Sequence, residues 1–198
     1  MITNEDCMDL MARYEDNYFD LAIVDPPYGI GYENGGQYFN KSQGKKWDKE
    51  TPDKIFFDEL FRVSKNQIIW GGNYFDLPPT RCVLAWTKTR ELQNRTFSEW
   101  EMAWTSFNSV ARYHSLKPFQ RNGTRIHPTQ KPIGLYEWLL MNYAKENDKI
   151  LDTHLGSGSI AIACHNLGYQ LTGCEIDKDY YEAAMKRIEQ HKQQQRLF

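Results

Sequence analysis

The chain has 198 residues, 40% hydrophobic and 25% charged, a make-up suited to one globular domain and unlike that of a disordered segment. No apolar run approaches the ~20 residues of a membrane-spanning helix, and the acidic opening Met1–Asp9 lacks the apolar stretch of a secretion signal, so a cytoplasmic protein is expected. The net charge of −2 hides an uneven distribution: residues 80–132 hold 9 basic and 3 acidic side chains, against 8 and 14 in residues 1–79 and 7 and 9 in residues 133–198. A basic stretch on an acidic body is either a surface that meets phosphates or a solvated loop face.

Taken in chain order, short apolar runs predict strands at Leu21–Val24, Gln67–Trp70, Cys82–Trp86, Met102–Thr105, Lys149–Leu151 and Gln170–Cys174. Helical spacing predicts helices at Asp53–Val63, Gly134–Tyr143, Ser159–Leu167 and Asp179–His191. Strands alternating with helices imply an α/β fold with a doubly wound, mostly parallel sheet. Two polar stretches, Gly29–Thr51 and Lys88–Ser98, read as long loops, a length that suits binding loops or lids. Cys7, Cys82, Cys164 and Cys174 have no CxxC spacing and the five histidines no HxxxH spacing, so buried free thiols and no metal are expected.

Two places carry chemistry. The first strand ends in Asp25-Pro26-Pro27-Tyr28. Paired prolines cannot continue a ladder, so the chain leaves the sheet there with a carboxylate, a rigid carbonyl and an aromatic ring together at the carboxyl edge, where open α/β sheets bind ligands. That set suits an exocyclic aromatic amine. Its lone pair is delocalised into the ring; Asp25 and the Pro26 carbonyl would each accept one N–H and free it, while Tyr28 stacks on an extruded base.

The second place is Ile150-Leu151-Asp152-Thr153-His154-Leu155-Gly156-Ser157-Gly158-Ser159, a strand end and a glycine turn into a helix, followed by a strand that ends at Gly173-Cys174-Glu175. This is the layout of a nucleotide- or nucleoside-binding unit, in which the acid accepts from ribose hydroxyls. The turn lacks a third glycine and Asp152 precedes it. A carboxylate there repels a pyrophosphate and suits a cationic amine, which points to an adenosyl ligand such as S-adenosylmethionine. A nicotinamide-dependent oxidoreductase is the rival reading of the turn alone.

Together these motifs resemble the amino-group DNA methyltransferases acting on adenine N6 or cytosine N4, in the permuted order of the beta group, and look similar to members carried by phages and prophages. The likeness extends to Asn4-Glu5-Asp6-Cys7, Ile68-Ile69-Trp70-Gly71-Gly72-Asn73-Tyr74-Phe75, Glu99-Trp100-Glu101 and His127-Pro128-Thr129-Gln130-Lys131-Pro132. It implies one methyltransferase domain of the Rossmann-like, circularly permuted type: a catalytic half (1–87), a small DNA-recognition insertion (about 88–126) and a cofactor half (127–198), with Met1–Thr3 as the family's third strand. The catalytic residues would be Asp25, Pro26, Pro27 and Tyr28. The donor would be held by Asp6, Asp25, Thr129, Lys131, Asp152, His154, Gly156, Ser157, Gly158 and Glu175, with Asp6 on its adenine and Lys131 near its carboxylate.

The implied activity is site-specific methylation of DNA at adenine N6 of a flipped-out base, as in restriction-modification systems, leaving S-adenosylhomocysteine; the Asp of the tetrapeptide favours adenine. Cytosine N4 is the alternative, and RNA a more distant one. DNA would be met by Lys41, Lys45, Lys46, Lys88, Arg90, Arg95, Arg121 and Arg125, with Lys49, Arg112 and Lys117 as further candidates. A homodimer is compatible with the sequence, and no obligate protein partner is evident. One departure stands out: the family's Asp-Pro-Phe is Asp152-Thr153-His154 here, and Ser159 replaces its usual Thr.

Overall fold

The computed structural model describes residues 1–31, 48–88, 98–117 and 126–195. Their strands are β1 (Ile2–Thr3), β2 (Leu21–Val24), β3 (Gln67–Trp70), β4 (Val83–Thr87), β5 (Trp100–Thr105), β6 (Arg112–Ser115), β7 (Lys149–Asp152) and β8 (Gln170–Cys174). The helices are α1 (Cys7–Met11), α2 (Lys54–Val63), α3 (Ile133–Tyr143), α4 (Ser159–Leu167) and α5 (Lys178–Gln195), with a turn of 3-10 helix at Gly72–Tyr74. The strands form one sheet in the order β1-β8-β7-β2-β3-β5-β4-β6. It is parallel except where β5 runs antiparallel to both β3 and β4.

Alternation along β2 shows why this sheet is covered on both faces. Leu21 and Ile23 pack in a cluster with Leu135 and Leu139 of α3, Ile160 and Ile162 of α4, and Ala184 and Ile188 of α5. Ala22 and Val24 point the other way, into a cluster with Leu10 and Met11 of α1 and Phe56, Phe57, Leu60 and Val63 of α2. Side chains alternate across a pleated strand, so a strand with helices on both sides is apolar at every position. Each fully buried Leu or Ile contributes about 1.5–3 kcal/mol. The amphipathic α2 starts where Asp53 accepts from the Phe56 amide at 3.0 Å, a side-chain cap that also fixes which face turns to the sheet.

The predicted strands and helices are all present, with ends shifted by one to four residues at most. Strand β6 was not among them. Arg-Tyr-His-Ser carries no apolar alternation because it lies at the sheet's edge with three of its four residues exposed. Most of both predicted long loops, residues 32–47 and 89–97, lies outside the described residues. The four thiols are free; Cys82, Cys164 and Cys174 are buried and Cys7 is partly so. No described helix is long and apolar enough to cross a membrane.

Candidate active site

Strands β2 and β7 are parallel neighbours, with Ala22 opposite Leu151. Their carboxyl ends therefore lie side by side, and Asp25 meets the Asp152 turn although more than a hundred residues separate them in sequence. The two prolines turn the chain off β2. Asp48, 1% exposed, then takes the amides of Tyr28 and Gly29 on one carboxylate oxygen, at 2.7 and 2.9 Å. The ring of Tyr28 stacks on Tyr74 at 5.0 Å with 13° between planes, and meets Phe75 edge-on at 6.2 Å.

Asp25 is engaged at both oxygens. Tyr28 Oη donates to Oδ1 at 2.6 Å, and Lys131 Nζ donates to Oδ2. Lys131, 3% exposed, sits just before Pro132 caps α3, and its ammonium also lies 3.4 Å from Glu101 Oε2 and 5.2 Å from the centre of the Trp70 ring. Glu101 in turn takes Lys88 Nζ on Oε1 at 2.7 Å. Burial and the charge of Asp25 push the Tyr28 phenol well above its ordinary value, so it stays a proton donor. Burial alone would lower Lys131, but the carboxylates of Asp25 and Glu101 raise it. Burial would raise Glu101, yet Lys131 and then Lys88 hold it below the usual range.

Beside this group the glycine turn is braced from three sides. Glu175 accepts from the amides of Gly156 at 2.9 Å and Asp177 at 3.0 Å. Arg187 of α5 donates to the Ser157 carbonyl at 2.7 Å and to Ser159 Oγ at 3.0 Å. Gly158 has φ +72°, a backbone conformation that favours glycine, and a Cβ there would sit tightly, 3.0 Å from Ile188 Cδ1. Asp152 is 2% exposed. Burial pushes its carboxyl up to about 8, the His154 amide at 3.0 Å offsets part of this, and the charges of Asp25 and Glu175 add to it. His154 lies edge-on to Phe56 at 5.3 Å with Nδ1 2.9 Å from Thr153 Oγ1, and burial lowers its imidazole to about 4.

The profile of the N6_N4_Mtase family, described as DNA methylase, matches residues 64–186, more than half of the chain. The chain belongs to that DNA methylase family. The match begins after Asp25–Tyr28 and takes in Lys131, the glycine turn and Glu175. The methylase is 25% identical over 240 aligned positions to the type II methyltransferase M2.DpnII of Streptococcus pneumoniae, covering 96% of this chain and 89% of that one. In fold it is similar to the M1.HpyAVI–SAM complex, with TM-score 0.63, 20% identity and 95% and 98% of the two chains covered. It is also similar to the cytosine-N4-specific PvuII DNA methyltransferase, with TM-score 0.65, 13% identity and 97% and 89% covered.

Within the methylase, the structure brings the predicted Asp25, Tyr28 and Lys131 into one cluster and Asp152, His154, Gly156, Ser157, Gly158 and Glu175 into its neighbour. Lys131 contacts the chain's own carboxylates. Asp6 caps α1 by accepting from the Met8 amide at 2.7 Å, and its charge bears on His154. Thr129 Oγ1 lies 3.1 Å from His127 Nδ1, and His127 meets Tyr180 at 4.4 Å. Of the predicted DNA contacts, Lys41, Lys45, Lys46, Arg90, Arg95, Arg121 and Arg125 lie outside the described residues. Lys88 is described and is 13% exposed, turned onto Glu101 and 5.4 Å from the Trp86 ring.

Sequence reasoning missed Asp48, Tyr74 and Glu101. Glu101 had a usable signal, being one of three acids in the basic stretch. Tyr74 stood in a quoted motif with no role attached, and Asp48 sat in a lysine-rich segment that masked it.

Proposed function

We propose that this methylase transfers a methyl group from S-adenosylmethionine to adenine N6 of a base flipped out of DNA. The observation that carries the reading is the side-by-side placement of Asp25, on its Pro-Pro turn, and the glycine turn with Glu175, at adjacent strand ends. Extruding a base costs a few kcal/mol, which stacking and pocket hydrogen bonds offset.

The residues present fit the proposed donor. Asp152 is a buried acid whose neutral form is favoured until a cation arrives, and Glu175 is an oriented carboxylate at the end of β8, the position of a ribose acceptor. Gly156, Ser157 and Gly158 would hold the donor with them, together with Asp6, Asp25, Thr129, Lys131 and His154. When bound, S-adenosylmethionine supplies an electrophilic methyl on a sulfonium. Asp25 and the Pro26 carbonyl accept the two N–H groups of the target amine and draw its lone pair out of the ring. This nitrogen would take the methyl from the donor, and the proton it loses would pass along its hydrogen bond to the Asp25 carboxylate and on to water. Tyr28, held by Tyr74, Phe75 and Asp48, offers the aromatic surface for the base.

The permuted order is part of this proposal, supported by the parallel pairing of β1 with β8 beside β7. So is the division into a catalytic half, a short basic recognition segment and a cofactor half. Adenine is preferred because Asp begins the tetrapeptide. Nucleoside mass spectrometry of unmethylated DNA incubated with the protein and S-adenosylmethionine tests the reading. N6-methyladenine is the expected product, N4-methylcytosine would keep the chemistry and overturn the base, and no methylated base would overturn the function.

A further inference from the structure

Charges alternate in a row across the active site: the Asp25 carboxylate, the Lys131 ammonium, the Glu101 carboxylate and the Lys88 ammonium. The row runs from the end of β2 through β5 to the end of β4, where Lys88 opens the basic segment. Lys131 holds Asp25 directly and Glu101 more loosely, at 3.4 Å. A movement of under about 1 Å by the lysine head would bring it to charge-assisted bonding distance of Glu101 and lengthen its contact with Asp25. Which carboxylate holds it more tightly depends on Lys88, which shares Glu101 at 2.7 Å.

An ammonium on Asp25 works against the proposed reaction. It competes for the lone pairs that must accept the amine N–H, and it stands next to a nitrogen that gains positive charge as the methyl arrives. The Tyr28 phenol imposes no such charge. A positioned amine therefore needs Lys131 drawn away, and Glu101 is the described carboxylate within its reach for that. DNA supplies the trigger, because a phosphate competes for Lys88 with a full negative charge.

We propose that Glu101 is a positioning residue that draws Lys131 off Asp25 when a DNA phosphate takes Lys88, so that the catalytic carboxylate is unmasked by substrate engagement. The inference rests on the reading of Asp25 as the acceptor of the target amine. The groups facing Lys131 are Asp25 and Tyr28 after β2, the Trp70 ring of β3, Glu101 of β5 and Asp152 of β7, with Lys88 after β4 reaching it through Glu101. Glu101 and Lys131 hold each other charged: Lys131 is raised against its burial and Glu101 is lowered against its own.

Protein labelled with 13C at the lysine ε-carbons reads the latch without any methyl transfer. The Lys131 resonance, assigned by its loss in Lys131→Arg, is followed as a DNA duplex is added in the presence of S-adenosylhomocysteine. It should move on DNA binding in the wild type, stay in place in Glu101→Gln, and stand at the DNA-bound position without DNA in Lys88→Gln. A wild-type resonance that ignores bound DNA, or one that moves equally in Glu101→Gln, overturns the proposal. In steady-state assays Glu101→Gln should lower kcat by about tenfold or more with donor affinity unchanged within about twofold, and Glu101→Asp should restore part of it. Equal kcat in wild type and Glu101→Gln also overturns it. A wild type that methylates no DNA base counts against the methyl-transfer reading, and the resonance titration still decides the latch.

Discussion

The Tyr28 ring occupies the space that a side chain at position 71 would need: a Cβ built on Gly71 comes within 2.2 Å of Tyr28 Cε1. Gly71 also has φ +71°, so an L side chain is strained there even before the ring is considered. The end of β3 and the Asp25–Tyr28 tetrapeptide after β2 are thus fitted to each other at van der Waals contact.

Gly71→Ala should therefore cost about 1–3 kcal/mol in stability and displace Tyr28 from its stack on Tyr74. Methyl transfer should fall while affinity for S-adenosylhomocysteine, held on the other strands, is retained. Urea unfolding and calorimetric titration check the two halves, and unchanged activity would mean the Tyr28 position is not critical.

Asp25→Ala should reduce methyl transfer by about 10²–10⁴-fold, the range for removing a group that acts directly on the reacting proton or charge. Donor binding should survive, because Asp152 and Glu175 stand on other strands. Equal loss of both in parallel assays would mean that the change had disrupted the fold, since it leaves the buried Lys131 ammonium with Glu101 alone beside it.

His154 gives the protein an acid weakness. Its imidazole is lowered from 6.5 to about 4 by burial, so the folded state resists protonation that the unfolded chain accepts. The stability it contributes is present above about pH 6.5 and is lost as pH falls toward 4. His154→Phe should flatten that decline. Thermal melts at pH 7, 5.5 and 4.5 measure it, and parallel curves for the two proteins would refute the assignment.

Asp152 acts with the opposite sign. Its carboxyl rises from 3.8 to about 8, so the folded state favours the protonated form, and the stability this contributes below pH 4 is lost as pH rises to about 8. Asp152→Asn should be more stable than the wild type at pH 8 and equal to it near pH 4. A ligand ammonium beside Asp152 would ionise it, so S-adenosylhomocysteine should release close to one proton on binding at pH 7, read by calorimetry in buffers of different ionisation enthalpy. Asp152→Asn should abolish that release.

Where burial decides the pattern, the sequence was legible. The runs Leu21–Val24, Gln67–Trp70 and Gln170–Cys174 and the helix Ser159–Leu167 have the bounds their apolar content implies. Edge strand β6 was not legible, because a strand with three exposed residues has no apolar imprint. The same divide holds in the site. Asp25, Tyr28 and Glu175 follow from motif chemistry at strand ends. The Lys131–Glu101–Lys88 contacts join the segment before α3, strand β5 and the end of β4, and the antiparallel insertion of β5 between β3 and β4 brings Glu101 to face the lysines. Asp48 was hidden for a similar reason, since its role is to cap amides twenty residues earlier.

The pairing of β2 with β7 has a consequence for synthesis. All four residues of β2 are buried, and one flank is covered by a strand that begins at Lys149. Until that strand leaves the ribosome, β2 is an apolar, hydrogen-bond-hungry edge, open to pairing with other nascent chains. Closure of so long a loop is slow, and chains cut before residue 149 should aggregate, whereas those extending past β8 should stay in solution.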